Sequence, residues 1–167
     1  MSPFKKGAKR LVRTLFGLPP AKSPKRIRKQ TRLVADPHLL AVWINLRRRW
    51  FPSRKDLDDY CVVWSSRAQK RTLASCSLHR KRVVVARELN YPEHECWLAP
   101  LVYHEMCHAV LGDSIAKRGE KTQWHGEDFR RLEECHPQIE PLNDWIRSGG
   151  WAKAVRSDRA KRRHSRK

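Results

Sequence analysis

Residues 101–112 read LVYHEMCHAVLG and are the most informative segment of the chain. Within it, His104 and His108 are four residues apart, which places both imidazoles on one face of a helix, one turn apart. Two imidazoles placed in this way can hold one metal ion. The apolar residues on either side are typical of a helix packed in a core, and Gly112 is suited to end it. The stretch therefore predicts a buried, metal-binding helix.

Glu105 follows the first of these histidines directly, so it can reach a water molecule on the metal but cannot pair with His104 as a ligand. Zinc suits the arrangement, because it accepts neutral imidazole and keeps a position for water in catalytic sites. It lowers the pKa of that water to about 7, so that a carboxylate can take the proton. Glu105 is therefore the candidate general base. Cobalt or manganese could occupy the same ligands.

A catalytic zinc usually needs a third protein ligand, and the segment 124–129 offers two candidates. His125 is the favoured one, since it lies 17 residues after His108, which leaves room for a loop that returns to the site. Glu127 is the rival, because zinc also accepts carboxylate oxygen.

The chain resembles the SprT-like metallopeptidases, which include the Spartan-type proteases. The resemblance rests on HEMCH at 104–108, on His-Gly-x-x-Phe at 125–129, and on the segments 71–77 and 82–85, which are similar to the strands before the motif helix in that family. It covers roughly residues 36–151. It implies a zincin-like peptidase domain in which His104, His108 and His125 match the zinc ligands and Glu105 matches the general base. Because Spartan-type relatives act on proteins crosslinked to DNA, it also implies a DNA-associated protein substrate.

The net charge of +20 is concentrated at the two ends of the chain. Residues 1–35 hold 11 Lys or Arg and no acidic residue, and residues 152–167 hold eight basic residues and one aspartate. We therefore predict a basic arm at 1–35, a metallopeptidase domain at 36–151 and a flexible basic tail at 152–167. Such ends bind DNA or RNA through phosphate contacts that salt weakens. A role in solubility alone is the other interpretation of these ends.

The remaining patterns predict an α+β fold. Asp36-Pro37 suits the start of a helix that ends before Pro52. Residues 61–65, 72–78 and 83–86 are predicted as strands of a three-stranded, mainly antiparallel sheet, connected as a meander. This sheet packs on the motif helix, which is expected to have Pro100 in its first turn. Helices are further predicted at 126–135 and 139–151. The third strand is a candidate to line the cleft, where an extended substrate could add to an exposed edge.

Five cysteines without zinc-ribbon spacing indicate reduced thiols and a cytoplasmic location, near the nucleoid or in a nucleus. No apolar run approaches the ~20 residues of a membrane span, and we expect a monomer.

The sequence thus predicts a zinc-dependent metalloendopeptidase that hydrolyses DNA-associated or DNA-crosslinked proteins. Two alternatives stay open at this point. One is a nucleic-acid-binding protein in which the metal is structural or vestigial, and the other is a metallopeptidase without a nucleic-acid role. Glu105 favours an enzyme over the first alternative, because a purely structural metal site does not need it.

Overall fold

A computed structural model describes residues 34–112, 117–118, 121–122 and 124–165, so nearly all of the predicted arm at 1–35 lies outside the described residues. Helix α1 spans Pro37–Trp50 and confirms the predicted start. The Asp36 carboxylate caps it by accepting from the backbone N–H groups of His38 and Leu39, each at 3.1 Å. Trp43 on this helix is fully buried, and its indole N–H donates to the Leu57 carbonyl at 2.9 Å. This bond ties α1 to the 3-10 turn Lys55–Asp59 that leads into the sheet.

The sheet contains β1 (Cys61–Trp64), β2 (Ala74–Ser77) and β3 (Arg82–Val85) in the order β1-β3-β2. The α+β class and the three strands are confirmed, but the predicted meander is wrong. β1 pairs with β3 in parallel, and only β2 and β3 form an antiparallel hairpin, so the sheet is mixed. The physical reason lies in the connections. Residues 78–81 close a tight turn in which Lys81 has a φ of 44°, whereas the longer segment 65–73 carries the chain past β3.

Helix α2 spans Glu95–Leu111 and is the central element of the domain. Nine of its side chains are buried, and it contacts α1, the sheet and the helices that follow. Pro100 is the sixth residue of this helix, so the expectation that it falls in the first turn is wrong. A proline there costs about 3 kcal/mol, which the burial of so much of the helix offsets. Cys107 is fully buried in this core, and burial raises the pKa of its thiol to about 12.

The chain continues through a two-stranded antiparallel pair, β4 (Lys117–Arg118) and β5 (Lys121–Thr122), into helix α3 (Glu127–Glu133). The predicted closing helix at 139–151 is two helices, α4 (Ile139–Arg147) and α5 (Gly150–His164), because Gly149 adopts a φ of 84° between them.

Helix α5 corrects the expectation that 152–167 is a flexible tail, since its described part is helical as far as His164. Three buried residues, Trp151, Ala154 and Asp158, hold it in the same compact unit as the rest of the described chain. The division of the chain into arm, domain and tail otherwise stays a prediction. Among the described residues, no helix is long and apolar enough to cross a membrane.

Candidate metal centre and cleft

Helix α2 presents His104 and His108 one turn apart, with ring centroids 5.1 Å from each other. His125, from the turn before α3, completes a cluster with centroids 5.3 Å from His104 and 4.9 Å from His108. The Nε2 atoms of His108 and His125 are 3.2 Å apart. One ligand atom from each of the three residues lies within 4.8 Å of the other two, so the group could hold a metal ion. Glu127, the rival third ligand, is exposed and is not part of this group.

Helix α3 brings His125 back to α2 by burying Phe129 among the three histidines. The Phe129 ring centroid lies 5.1, 4.5 and 4.7 Å from those of His104, His108 and His125, respectively. A second contact fixes the helix, because the Tyr103 hydroxyl donates to the Leu132 carbonyl at 2.9 Å. The His-Gly-x-x-Phe pattern therefore has a direct physical meaning: the phenyl group four residues after His125 anchors the segment that carries the imidazole.

Glu133 is a site residue that the sequence did not reveal. Its Oε1 lies 2.5 Å from Nδ1 of His104. A carboxylate on one ring nitrogen keeps the proton there, so the other nitrogen, Nε2, has its lone pair free for a metal. The available signal was weak: Glu133 follows Phe129 by four residues, on the same face of α3.

The residues of the cluster fit a zinc ion, because burial disfavours the protonated forms of His108 and His125. Burial, followed by the charges of His104 and His125, lowers the pKa of His108 to about 4, although Glu133 opposes the shift. Burial and then His104 also lower the pKa of His125. Metal ligation needs unprotonated imidazole, and the lowered pKa values of His108 and His125 meet that need.

Glu105 lies at the wall of the same cleft with only 4% of its surface exposed. Burial raises the pKa of this carboxyl to about 7, while the charge of His104 and a hydrogen bond from the Cys76 backbone N–H lower it. A carboxyl with a pKa near neutrality can both take and return a proton at physiological pH. The geometry thus agrees with the role predicted for Glu105, which stays a prediction.

The cleft has a volume of about 950 Å³ and contains the three histidines and Glu105. Its opposite wall is β2, not β3 as the sequence suggested, because β3 is the central strand and β2 lies at the sheet edge. Trp124 also lines the cleft, with 51% of its surface exposed and its ring 6.3 Å from that of His108. His79, in the turn after β2, lines it as well. His136 does not line the cleft and is buried against Trp50 and Tyr103.

These features define a class: an α+β domain in which one helix carries His-Glu-x-x-His and a following segment returns a third histidine to form a metal centre. The chain belongs to the SprT-like family, whose family model matches residues 41–141. The match extends from α1 into α4 and includes all three histidines and Glu105. Members of this family are generally metallopeptidases. Comparison with individual curated proteins finds no significant match.

Proposed function

We propose that this protein is a zinc-dependent metalloendopeptidase that hydrolyses proteins bound or crosslinked to DNA. The observation that carries the proposal is the buried Glu105 carboxyl, held at the cleft wall beside the cluster of three histidines. A metal that only stabilised the fold would gain nothing from a buried carboxyl at that position, whereas hydrolysis needs a group there that can take a proton from water.

The residues divide the chemistry between them. His104, His108 and His125 would hold the ion, and Glu133 keeps His104 in the ligating tautomer. When bound, zinc supplies Lewis acidity for the scissile carbonyl and for the attacking water. Glu105 takes a proton from that water and delivers it to the departing amine.

The edge strand β2 offers a backbone template for the substrate. The Ala86 N–H donates to the Leu73 carbonyl, which fixes the hydrogen-bonding phase of the β2–β3 pair. In that phase the backbone groups of Ser75 and Ser77 point toward β3. Those of Ala74 and Cys76 point away from it. The Cys76 N–H is taken by Glu105, which leaves its carbonyl and both groups of Ala74 for an extended peptide. Backbone pairing of this kind reads little side-chain sequence, and Trp124 adds an apolar surface for an unfolded chain.

The charge of the chain supports a nucleic-acid-bound substrate. A protease with little sequence preference needs something to localise it, and a net charge of +20 favours a polyanion. We therefore propose DNA as the partner, with RNA an option of the same chemistry, and a protein on that polymer as the substrate.

The test compares wild type with Glu105→Gln, using Glu127→Gln as the matched control because its carboxylate is exposed and outside the histidine cluster. We expect both variants to retain about one zinc per chain by metal analysis. Cleavage of casein and of histone crosslinked to DNA should fall at least ~100-fold in Glu105→Gln only, the usual scale for a general base.

Two results would count against the proposal. Equal cleavage by wild type and Glu105→Gln would remove this residue from the mechanism. Absence of cleavage by all three zinc-loaded proteins would favour the alternative, a nucleic-acid-binding protein with a structural metal.

A further inference from the structure

A second cavity, of about 280 Å³, lies between α5 and two parts of the chain around the sheet, residues 68–70 and the 3-10 turn Arg87–Leu89. We call it the α5 groove. Its titratable lining consists of five basic side chains and two carboxylates, namely Lys70, Arg87, Arg159, Arg162, Arg163, Glu88 and Asp158. It shares no lining residue with the metal cleft and is therefore a separate cavity.

The two carboxylates form the buried floor of the groove. Asp158 is 3% exposed and accepts both from the Tyr91 hydroxyl at 2.9 Å and from Nε of Arg162 at 2.8 Å. Glu88 is 1% exposed, and its Oε1 accepts from the Gln69 N–H at 2.7 Å, which holds the 68–70 segment in place. Both acids therefore serve to position the groove and are not presented to solvent.

The rim, by contrast, is exposed and positive. Lys70, Arg159 and Arg163 are exposed, and none of them forms an ion pair with another of the described residues. Arg159 and Arg163 are four residues apart, so their like charges lie side by side on one face of α5 and destabilise the helix slightly. An anion bound between the two guanidinium groups would be attracted to both and would offset their repulsion.

We propose that the α5 groove binds the phosphate backbone of nucleic acid. Guanidinium groups pair with phosphate in a bidentate manner, and a rigid helix that carries several of them along one side fits a repeating polyanion better than a single small anion. The rim selects charge and not bases, so binding is independent of nucleotide sequence.

The groove also lies close to the edge strand of the cleft. The Trp151 indole N–H donates to the Lys70 carbonyl at 3.2 Å, so α5 holds the same connection that leads into β2. Ala74, which lines the metal cleft, is only four residues after Lys70, a span of at most ~14 Å. Nucleic acid in the groove would thus deliver its attached protein to the β2 edge. This consequence rests on the proposed peptidase function, whereas the binding itself does not.

The experiment uses the full chain with two charge-matched double variants. Arg159→Gln with Arg163→Gln removes two rim charges. Lys153→Gln with Arg156→Gln removes two exposed charges of the same helix that do not line the groove. Binding to a fluorescent DNA duplex is measured by anisotropy over a range of salt concentrations. We expect the groove variant to bind roughly tenfold or more weakly and its salt slope to drop by about 2, one per lost phosphate contact, with the control changed far less.

Equal weakening in both variants would show that only net charge matters and would overturn the inference, as would unchanged binding in the groove variant. Loss of binding to phosphatidylserine vesicles with unchanged DNA binding would assign the groove to a lipid surface instead. Thermal unfolding and zinc content, expected to match wild type, exclude a folding defect.

Cleavage assays separate this inference from the proposed function. We expect the groove variant to cleave DNA-crosslinked histone more slowly while it cleaves free casein at the wild-type rate. If no variant cleaves casein but the groove variant alone loses DNA binding, the peptidase proposal fails and the groove assignment stands.

Discussion

Glu105→Gln should stabilise the metal-free protein in a pH-dependent manner, although it is expected to abolish hydrolysis. Glu105 is 4% exposed, and burial raises the pKa of its carboxyl from 4.5 to about 7. A glutamine side chain has nearly the same shape and does not ionise. The variant therefore removes the free-energy cost of a buried charge and leaves the packing of α2 almost unchanged.

The sign follows from the two pKa values. Well below pH 4.5 the carboxyl is protonated in both the folded and the unfolded state, so it contributes no pH dependence. As the pH rises from 4.5 to about 7, the unfolded state releases its proton more readily, and the wild-type protein loses stability. The difference between these two pKa values corresponds to roughly 3 kcal/mol of stability, most of it lost between pH 5 and pH 8.

The assay is urea unfolding at pH 5 and pH 8 in the presence of a chelator. The free energy of unfolding of Glu105→Gln minus that of wild type should be larger at pH 8 by roughly 2–3 kcal/mol. Glu127→Gln is the control, because its side chain is exposed and its difference from wild type should not change with pH. With zinc added, the Glu105→Gln advantage should shrink, since a nearby cation favours the carboxylate. The reasoning is refuted if the difference is the same at both pH values without metal.

Three further outcomes are expected. Glu133→Gln should weaken zinc affinity by roughly 10- to 100-fold, because His104 Nδ1 loses its charged acceptor, and competition with a chelating dye measures the affinity. Glu134→Gln is the control, and equal zinc affinity in wild type and both variants would remove Glu133 from the site. Trp124→Ala should raise the KM for an unfolded protein substrate with zinc content unchanged, whereas Trp124→Phe should have a KM close to that of wild type. Wild-type kinetics in both variants would mean that the exposed indole does not touch substrate. Asp36→Ala should lower the free energy of unfolding, measured with urea, by about 1 kcal/mol, the usual cost of a lost N-cap. A change near zero would show that water satisfies the backbone N–H groups of His38 and Leu39 equally well.

The metal-binding face of α2 could be predicted because it depends on local geometry alone. Helical spacing puts His104 beside His108, whatever the rest of the fold does. His125 was within reach of sequence reasoning for a similar reason, since Phe129 follows it at a spacing suited to one short helix. Glu133 was not, because its role depends on how α3 lies across α2, which no local pattern specifies.

Helix α5 was missed because its charge hid an apolar side. The residues Trp151, Ala154, Val155 and Asp158 recur at the spacing of one helical face, and three of them are buried. Composition alone indicated a solvated tail, because basic residues fill the other faces. The buried Asp158 gives the physical resolution, since its bonds to Tyr91 and Arg162 hold the helix against the domain at the point where the basic residues are densest.

The strand order explains how the cleft and the α5 groove come to share one segment of chain. A meander would have joined β1 to β2 through a tight turn and paired them side by side. Instead β3 pairs on both sides, which leaves β2 as an edge strand with backbone groups facing the metal cleft. The same order requires a long β1–β2 connection, and that connection is what contacts α5 through the Lys70 carbonyl and supplies one wall of the groove. A substitution that shifts residues 68–70 should therefore alter both nucleic-acid binding and peptide hydrolysis, whereas a change on the far side of α1 should alter neither.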